Sequence, residues 1–359
     1  MTTEAAPSID QARAEAFAGQ MVGLLNHAFT GFMVSVGHRT GLFDAMATLA
    51  PSTSAQIAKA AGLNERYVRE WLGNMTTAGL VEHDGAAGTY RLPAEHAASL
   101  TRAAGPGNLA GMTEFLRLAA GVEDEIVQCF RSGGGVPYSR FTEFQELMRQ
   151  ESAAVYDATL VDVTLPLVPG LIERLRQGID VADVGCGAGH AINVMAKAFP
   201  KSRFVGYDFS EEGIGIATNE AKAWGLTNAS FEVKDAATLD GSKQFDLITV
   251  FDAIHDQAQP RKVLKGIAES LKPDGVFLCA DIAGDSTHAG NMEHPLAPML
   301  YAISTFHCMT VSLALDGEGL GTMWGRQKAR ELFKEAGFTS VEERTVEGDI
   351  MNVYYICGR

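Results

Sequence analysis

Two stretches of this chain have residue types at spacings that can do chemistry. The first is Asp183-Val184-Gly185-Cys186-Gly187-Ala188-Gly189-His190, where an acid near the end of an apolar run is followed by glycine at every second position. Glycine is needed where the backbone turns with positive φ, or where a ligand must reach the main chain without meeting a Cβ. A helix from about Ala191 follows, and the unpaired N–H groups at its start suit the negative end of a ligand. A dinucleotide loop of the form Gly-x-Gly-x-x-Gly would carry its last glycine one residue later, where this chain has His190. The second stretch is Phe251-Asp252-Ala253-Ile254-His255-Asp256, at the end of another apolar run. The ordinary pKa of histidine lies near neutrality, so His255 can take a proton at working pH, and Asp256 beside it is a candidate to orient it.

The elements that must position these residues alternate strand and helix. After the glycine loop comes a helix to Phe199, stopped by Pro200. The strand Arg203 to Asp208 follows, then a helix over 211–224. The strand Ser230 to Lys234 has Asp235-Ala236 at its end, and the strand Phe245 to Val250 is almost wholly apolar, as one buried on both faces should be. Four strands separated by helices give a right-handed, doubly wound sheet with a ligand crevice at the strand ends. Each of three strands then ends in an acid, Asp183, Asp208 and Asp235, on one edge of that sheet.

Asp-x-Gly-x-Gly-x-Gly resembles motif I of the class I S-adenosylmethionine-dependent methyltransferases. The resemblance implies an α/β fold: a seven-stranded, doubly wound (Rossmann-like) sheet closed by an antiparallel edge pair near 341–346 and 351–357. It implies that Asp183, Gly185, Cys186, Gly187, Gly189, Asp208, Phe209, Asp235, Ala236, Phe251 and Asp252 bind the cofactor, with S-adenosylhomocysteine as product. In that scheme Asp208 accepts from the ribose hydroxyls and Asp235 from the adenine amino group. Cys186 is expected to pack beside the cofactor, not to act as a nucleophile. The segment from His255 is similar to that of the caffeate and acetylserotonin O-methyltransferases, where the histidine of a His-Asp-Trp segment removes the proton of the substrate hydroxyl. Carried over, His255 is the general base, although Gln257 stands in place of the Trp and Ala258-Gln259 in place of the usual acidic pair. Tyr138, His307, Met323 and Trp324 are expected at the substrate. No metal is expected; a site built from His255, His307 and Cys308 is conceivable but lacks a recognised ligand spacing.

Upstream, residues 9–50 have helical spacing of apolar side chains. A capped short helix follows, closed by Gly62, then a helix from Asn64 to Ala78 and a β-hairpin through Leu80–Leu92. Helix, turn, helix and hairpin make a winged helix. Between Ser54 and Leu92 the bases Lys59, Arg66, Arg69 and Arg91 are matched by Glu65, Glu70, Glu82 and Asp84, which is a poor duplex-reading face. The winged helix is therefore expected to pair two subunits and cover substrate, as in small-molecule O-methyltransferases. Residues 93–178 read as helical, interrupted by Gly133-Gly134-Gly135 in a flexible loop that is either a surface connector or a lid. Pro166 and Pro169 must break the helix that follows. Tyr156 is a further candidate to reach the cofactor. The expected organisation is a winged-helix-like domain over 1–100, a helical connecting segment over 101–170 and a methyltransferase domain over 171–359.

Composition limits the partners. The chain of 359 residues has 46% hydrophobic and 20% charged residues, so it is globular, and it carries a net charge of −15 from 44 acids against 29 bases. That excess argues against nucleic acid and anionic lipid. Met1–Ser8 lacks the pattern of a signal peptide, and five scattered cysteines point to a reducing compartment, the cytoplasm. The expected function is methyl transfer from S-adenosylmethionine to a small organic acceptor by a cytoplasmic homodimer. An oxygen nucleophile is favoured and nitrogen or sulfur acceptors stay open. The alternatives are a cofactor-sensing transcription regulator and an RNA or protein methyltransferase.

Overall fold

The computed structural model describes residues 9–141 and 143–359, with the main chain alone at Glu151; Met1–Ser8, whose composition was read above, lies outside them. The chain divides into two compact units, Met1–Arg117 and Leu118–Arg359.

The first unit is the winged helix. A long helix, Gln11–Arg39, is followed by Leu42–Ala47, Ser54–Ala61 and Glu65–Thr77, then the hairpin of β1 (Glu82–Asp84) and β2 (Thr89–Arg91). Thr53 and Gln56 form a reciprocal capping box at the start of Ser54–Ala61, an arrangement that contributes about 1 kcal/mol. Asn64 caps the next helix, and Gly62 ends the shorter one in the left-handed region. Trp71 anchors the core: it packs on Phe43 and its Nε1 donates to the carbonyl of Met33. Gly37 is where the long helix comes closest to these rings, since a Cβ there would lie 2.6 Å from Trp71.

The second unit holds a seven-stranded sheet in the order β5-β4-β3-β6-β7-β9-β8. The strands are β3 (Asp180–Val184), β4 (Arg203–Asp208), β5 (Ala229–Val233), β6 (Phe245–Phe251), β7 (Leu271–Ile282), β8 (Ser340–Arg344) and β9 (Asn352–Gly358). The first five are parallel, and β9 runs antiparallel between β7 and β8. Side chains alternate between two cores, as the two-residue strand period requires. Val181, Leu247 and Leu278 join helices Leu171–Gln177 and His190–Ala198 on one face. Ala182, Ile248, Phe277 and Cys279 face the opposite core, with Val263, Ile267 and Phe333. Because β3 to β7 are parallel, their C-terminal ends share one edge, and the functional loops collect there.

The helix expected to break at its prolines does so. Phe144–Thr159 passes through a π-helical turn, Leu160–Thr164, and a short 3₁₀ turn, Leu165–Leu167, before Leu171–Gln177 begins. The glycine run read as a flexible loop is tethered at its far end. Val136 is 1% exposed and its N–H donates to Thr310 Oγ1. A Cβ on Gly135 would fall 2.0 Å from the Thr310 carbonyl, so only glycine lets the segment lie against that helix. The rest of the segment joins a small core of Val122, Ile126, Val136, Phe141 and Val311. Among the described residues, no single helix is long and apolar enough to cross a membrane.

Candidate active site

The glycine loop connects β3 to helix His190–Ala198. Gly185, Gly187 and Gly189 all have positive φ, at 76°, 52° and 69°. Two of them are also packing positions. A Cβ on Gly185 would meet Ala253 at 2.6 Å, and one on Gly189 would meet Ala217 at 2.4 Å and Phe231 at 2.5 Å. Gly187 differs, because its Cβ would find only Gln145 Oε1 at 3.4 Å; that place in the loop is open to a ligand. The early third glycine thus brings the loop down on helix Glu211–Ala223 and β5. His190, in place of the dinucleotide glycine, clamps neighbouring helices through Glu220 and Asp157.

Carboxylates surround the loop. Asp208, at the tip of β4, accepts from the N–H groups of Gly187 and Ser210, each at 2.8 Å, so it shapes the loop while each oxygen keeps a further acceptor direction. Phe209 beside it is half exposed and meets Tyr138 edge to face. Asp183 is buried on β3 and accepts from Thr249 Oγ1 at 2.7 Å. Asp235 lies exposed past β5 and caps its own turn through Ala237 N–H, with Ala236 buried behind it. Asp252, after Phe251 at the tip of β6, holds a φ of 53°, in the left-handed region that aspartate enters more readily than most side chains. Its Oδ1 is buried without a partner.

Burial pushes the carboxyls of Asp183, Asp252 and Asp256 up to about 7; Asp208 adds to this at Asp183 and Asp256, and Asp281 at Asp252 and Asp256. A cluster of buried acids, one oxygen of which has no donor, suits a cation. S-adenosylmethionine fits that requirement through its sulfonium and ammonium, and the open face at Gly187 fits close approach to the main chain. Tyr156 tilts against Phe251 at 5.4 Å, and burial, with Asp252 and Asp183 adding, pushes its phenol pKa up. Burial pushes the Cys186 thiol up, and Cys186 Sγ would sit 2.7 Å from a Cβ on Gly206, which is packing and not nucleophilic geometry.

His255 is buried just beyond Asp252. Its Nδ1 pairs with Asp281 Oδ1 at 2.8 Å, and Asp281, on β7, is 0% exposed. The same oxygen accepts from Trp324 Nε1 at 3.0 Å and from the N–H of Ile282. The orienting acid is therefore Asp281, whereas the adjacent Asp256 lies among His255, Asp208 and Asp281 without bonding the imidazole. Sequence reading missed Asp281, since an acid 26 residues away gives no local signal. Burial is the largest single influence and disfavours the charged imidazole, but Asp281 and Cys308 together outweigh it and hold the His255 pKa well above 6.5.

The expected substrate residues separate into two groups. Tyr138 and His307 come together with Phe144 in one aromatic cluster, and Tyr138 Oη accepts from Gln145. Trp324 is buried behind Asp281, and Met323 packs with Ile282, Ala297 and Leu300. Among the described residues no group of three or more His, Cys, Asp or Glu side chains is arranged to hold a metal ion.

Comparison with known proteins agrees with this architecture. A family profile described as "Methyltransferase domain" matches residues 175–337, and one described as "Rv2258c-like winged HTH domain" matches residues 28–102. The (S)-coclaurine N-methyltransferase of Papaver somniferum is 29% identical over 133 residues, which is 36% of this chain and 38% of that protein. The chain spans between 38% and 52% of the length of the first curated relatives it matches. Among solved structures, a putative O-methyltransferase from Nostoc punctiforme superposes with a TM-score of 0.71 at 16% identity, covering 98% of this chain and 100% of the other. Human N-acetylserotonin methyltransferase, in complex with S-adenosylmethionine, gives a TM-score of 0.69 at 17% identity, with 99% of each chain covered. The glycine loop, the acid-tipped strands, the β5-β4-β3-β6-β7 parallel order completed by the antiparallel β9, and both domain profiles converge: the chain carries a methyltransferase domain over residues 175–337, preceded by a winged HTH domain over residues 28–102.

Proposed function

We propose that this protein moves the methyl group of S-adenosylmethionine to a hydroxyl of a small organic acceptor, with His255 as the general base. The observation that carries the reading is the buried chain of His255, Asp281 and Trp324. Asp281 accepts from Nδ1–H, which leaves Nε2 as the atom that takes the acceptor's proton. Trp324 and the Ile282 N–H hold Asp281 in place, so the imidazole is oriented before the acceptor arrives. The bound cofactor supplies a methyl carbon already activated by a sulfonium. The residues for gripping it are the Gly187 main chain, Asp208 and Asp235 for the nucleoside, with Asp183, Phe251, Asp252 and Ala236 lining the rest. Positive charge held near Asp252 lowers the proton affinity of His255 toward working pH.

The winged-helix unit supports pairing of two subunits better than DNA binding. Between Ser54 and Leu92 its arginines are held by neighbouring acids: Arg66 by Glu70, Arg69 by Glu65 and Arg91 by Glu82. Its long helix exposes Phe17, Met21, Leu24, Leu25, Phe29 and Phe32, a stripe at helical spacing that a second copy of the chain would bury. All five cysteines are free, which fits the cytoplasm. The test is transfer of a labelled methyl group to a panel of phenols, alcohols, amines and thiols. Labelled ethers are the expected product; label found only on nitrogen or sulfur would contradict the oxygen reading.

A further inference from the structure

Besides His255, a second imidazole is buried with one ring nitrogen that has no partner. His307 lies in a π-helical turn, Ser304–Cys308, is 5% exposed, and its Nε2 has no partner. Such turns place side chains where an α-helix would not, and they occur often at functional sites. The ring stacks on Phe144 with centroids 3.9 Å apart and planes 13° from parallel. Phe141 and Tyr138 meet it edge-on at 4.7 and 5.6 Å. The turn is tied to the base: Thr322 N–H donates to Ser304 Oγ, and the neighbouring Gly321 N–H donates to the His255 carbonyl. Cys308, the next residue, is a direct neighbour of the His255 side chain.

If His307 only filled space, a phenylalanine would do so without the cost of a buried unbonded nitrogen. The orphan atom needs a partner that arrives with the ligand. We propose that His307 is a specificity-determining residue whose Nε2 hydrogen-bonds a second polar substituent on a flat, uncharged aromatic acceptor, next to the hydroxyl that faces His255. This rests on the reading of the His255 site as the acceptor site. Burial, reinforced by the nearby His255, pushes the His307 pKa down to about 3, so the ring is neutral and can donate or accept but adds no charge. The buried acids Asp252, Asp256 and Asp281 around the base disfavour an anionic acceptor.

The test is a binding titration of the S-adenosylhomocysteine-saturated protein with catechol (1,2-dihydroxybenzene) and with phenol. The parent is expected to bind catechol at least about tenfold more tightly, the value of one buried hydrogen bond. His307→Phe, which keeps the ring stack and so the fold, is expected to bring catechol down to the phenol level and leave phenol unchanged. Equal binding by the parent, no binding of catechol, or a preference that survives in His307→Phe would overturn the assignment. The titration needs no turnover. A preserved catechol preference in a protein that never methylates oxygen would sink the base reading alone.

Discussion

Replacing His255 with alanine is expected to lower kcat by about 10²–10⁴, the range for loss of a general base, while affinity for S-adenosylhomocysteine stays within about twofold of the parent. The separation follows from position. In the proposed site the cofactor-facing atoms are those of the glycine loop and the tips of β4 to β6, whereas His255 pairs backward with Asp281 on β7. Alanine also strips Asp281 of a partner, leaving Trp324 and Ile282 N–H as its donors, and breaking a buried pair costs about 3–5 kcal/mol. His255→Gln is the companion variant, since its amide can still donate to Asp281 but cannot serve as a base. Both variants should bind S-adenosylhomocysteine and both should be slow. Turnover at the parent rate by either would remove His255 from the chemistry.

Asp281→Asn is expected to cut kcat by about 10²–10⁴ and to move the acid limb of its pH profile downward. Asparagine has nearly the shape of aspartate, so Trp324 and the Ile282 N–H keep an acceptor, but Nδ1–H of His255 loses its fixed anionic partner and the imidazole its tautomer and orientation. The sign of the pH effect follows from the opposing influences on His255. Burial lowers its pKa and Asp281 raises it, with Cys308 adding to the rise; the balance in the parent lies above 6.5. A base works when deprotonated, so parent activity climbs with pH through that raised value. With Asp281 neutralised, burial is no longer outweighed and the climb occurs at lower pH, to a lower plateau. A limb unmoved or moved upward, measured as kcat against pH at saturating cofactor, would show that Asp281 does not set the charge on His255.

Much of this was legible in the chain before any coordinates, because it rests on local pattern. The alternation of apolar runs and helical stretches gave β3 to β6 in order, and Pro166 marked the break that the π and 3₁₀ turns occupy. The glycine spacing located the loop. The open side of Gly187 and the crowded sides of Gly185 and Gly189 needed the packing partners Ala253, Ala217 and Phe231, drawn from three distant segments. What could not be read were side-chain pairings across the sheet. Adjacent Asp256 drew attention as the partner of His255, although neighbours in sequence often point apart, and Asp281 on the next strand takes the role. The π-helical turn carries no sequence signature, so the sequence reading placed His307 at the substrate without showing that its Nε2 is buried and lacks a partner. The glycine triplet signalled entropy cost but not the Thr310 backbone that Gly135 closes against.

The central claim is that acid-tipped strands around the glycine loop hold an adenosyl sulfonium. Calorimetric titration with S-adenosylmethionine and S-adenosylhomocysteine at pH 6 and pH 8 tests it most directly. Asp183, Asp252 and Asp256 sit near 7 in the free protein, and a cation beside them favours their charged forms, so binding should release protons and tighten as pH rises through that range. The gain should be larger for the sulfonium than for the thioether, which lacks that positive charge. Binding of both with this difference is the predicted result. Absence of heat with either ligand at both pH values, in protein shown to be folded, would contradict the account.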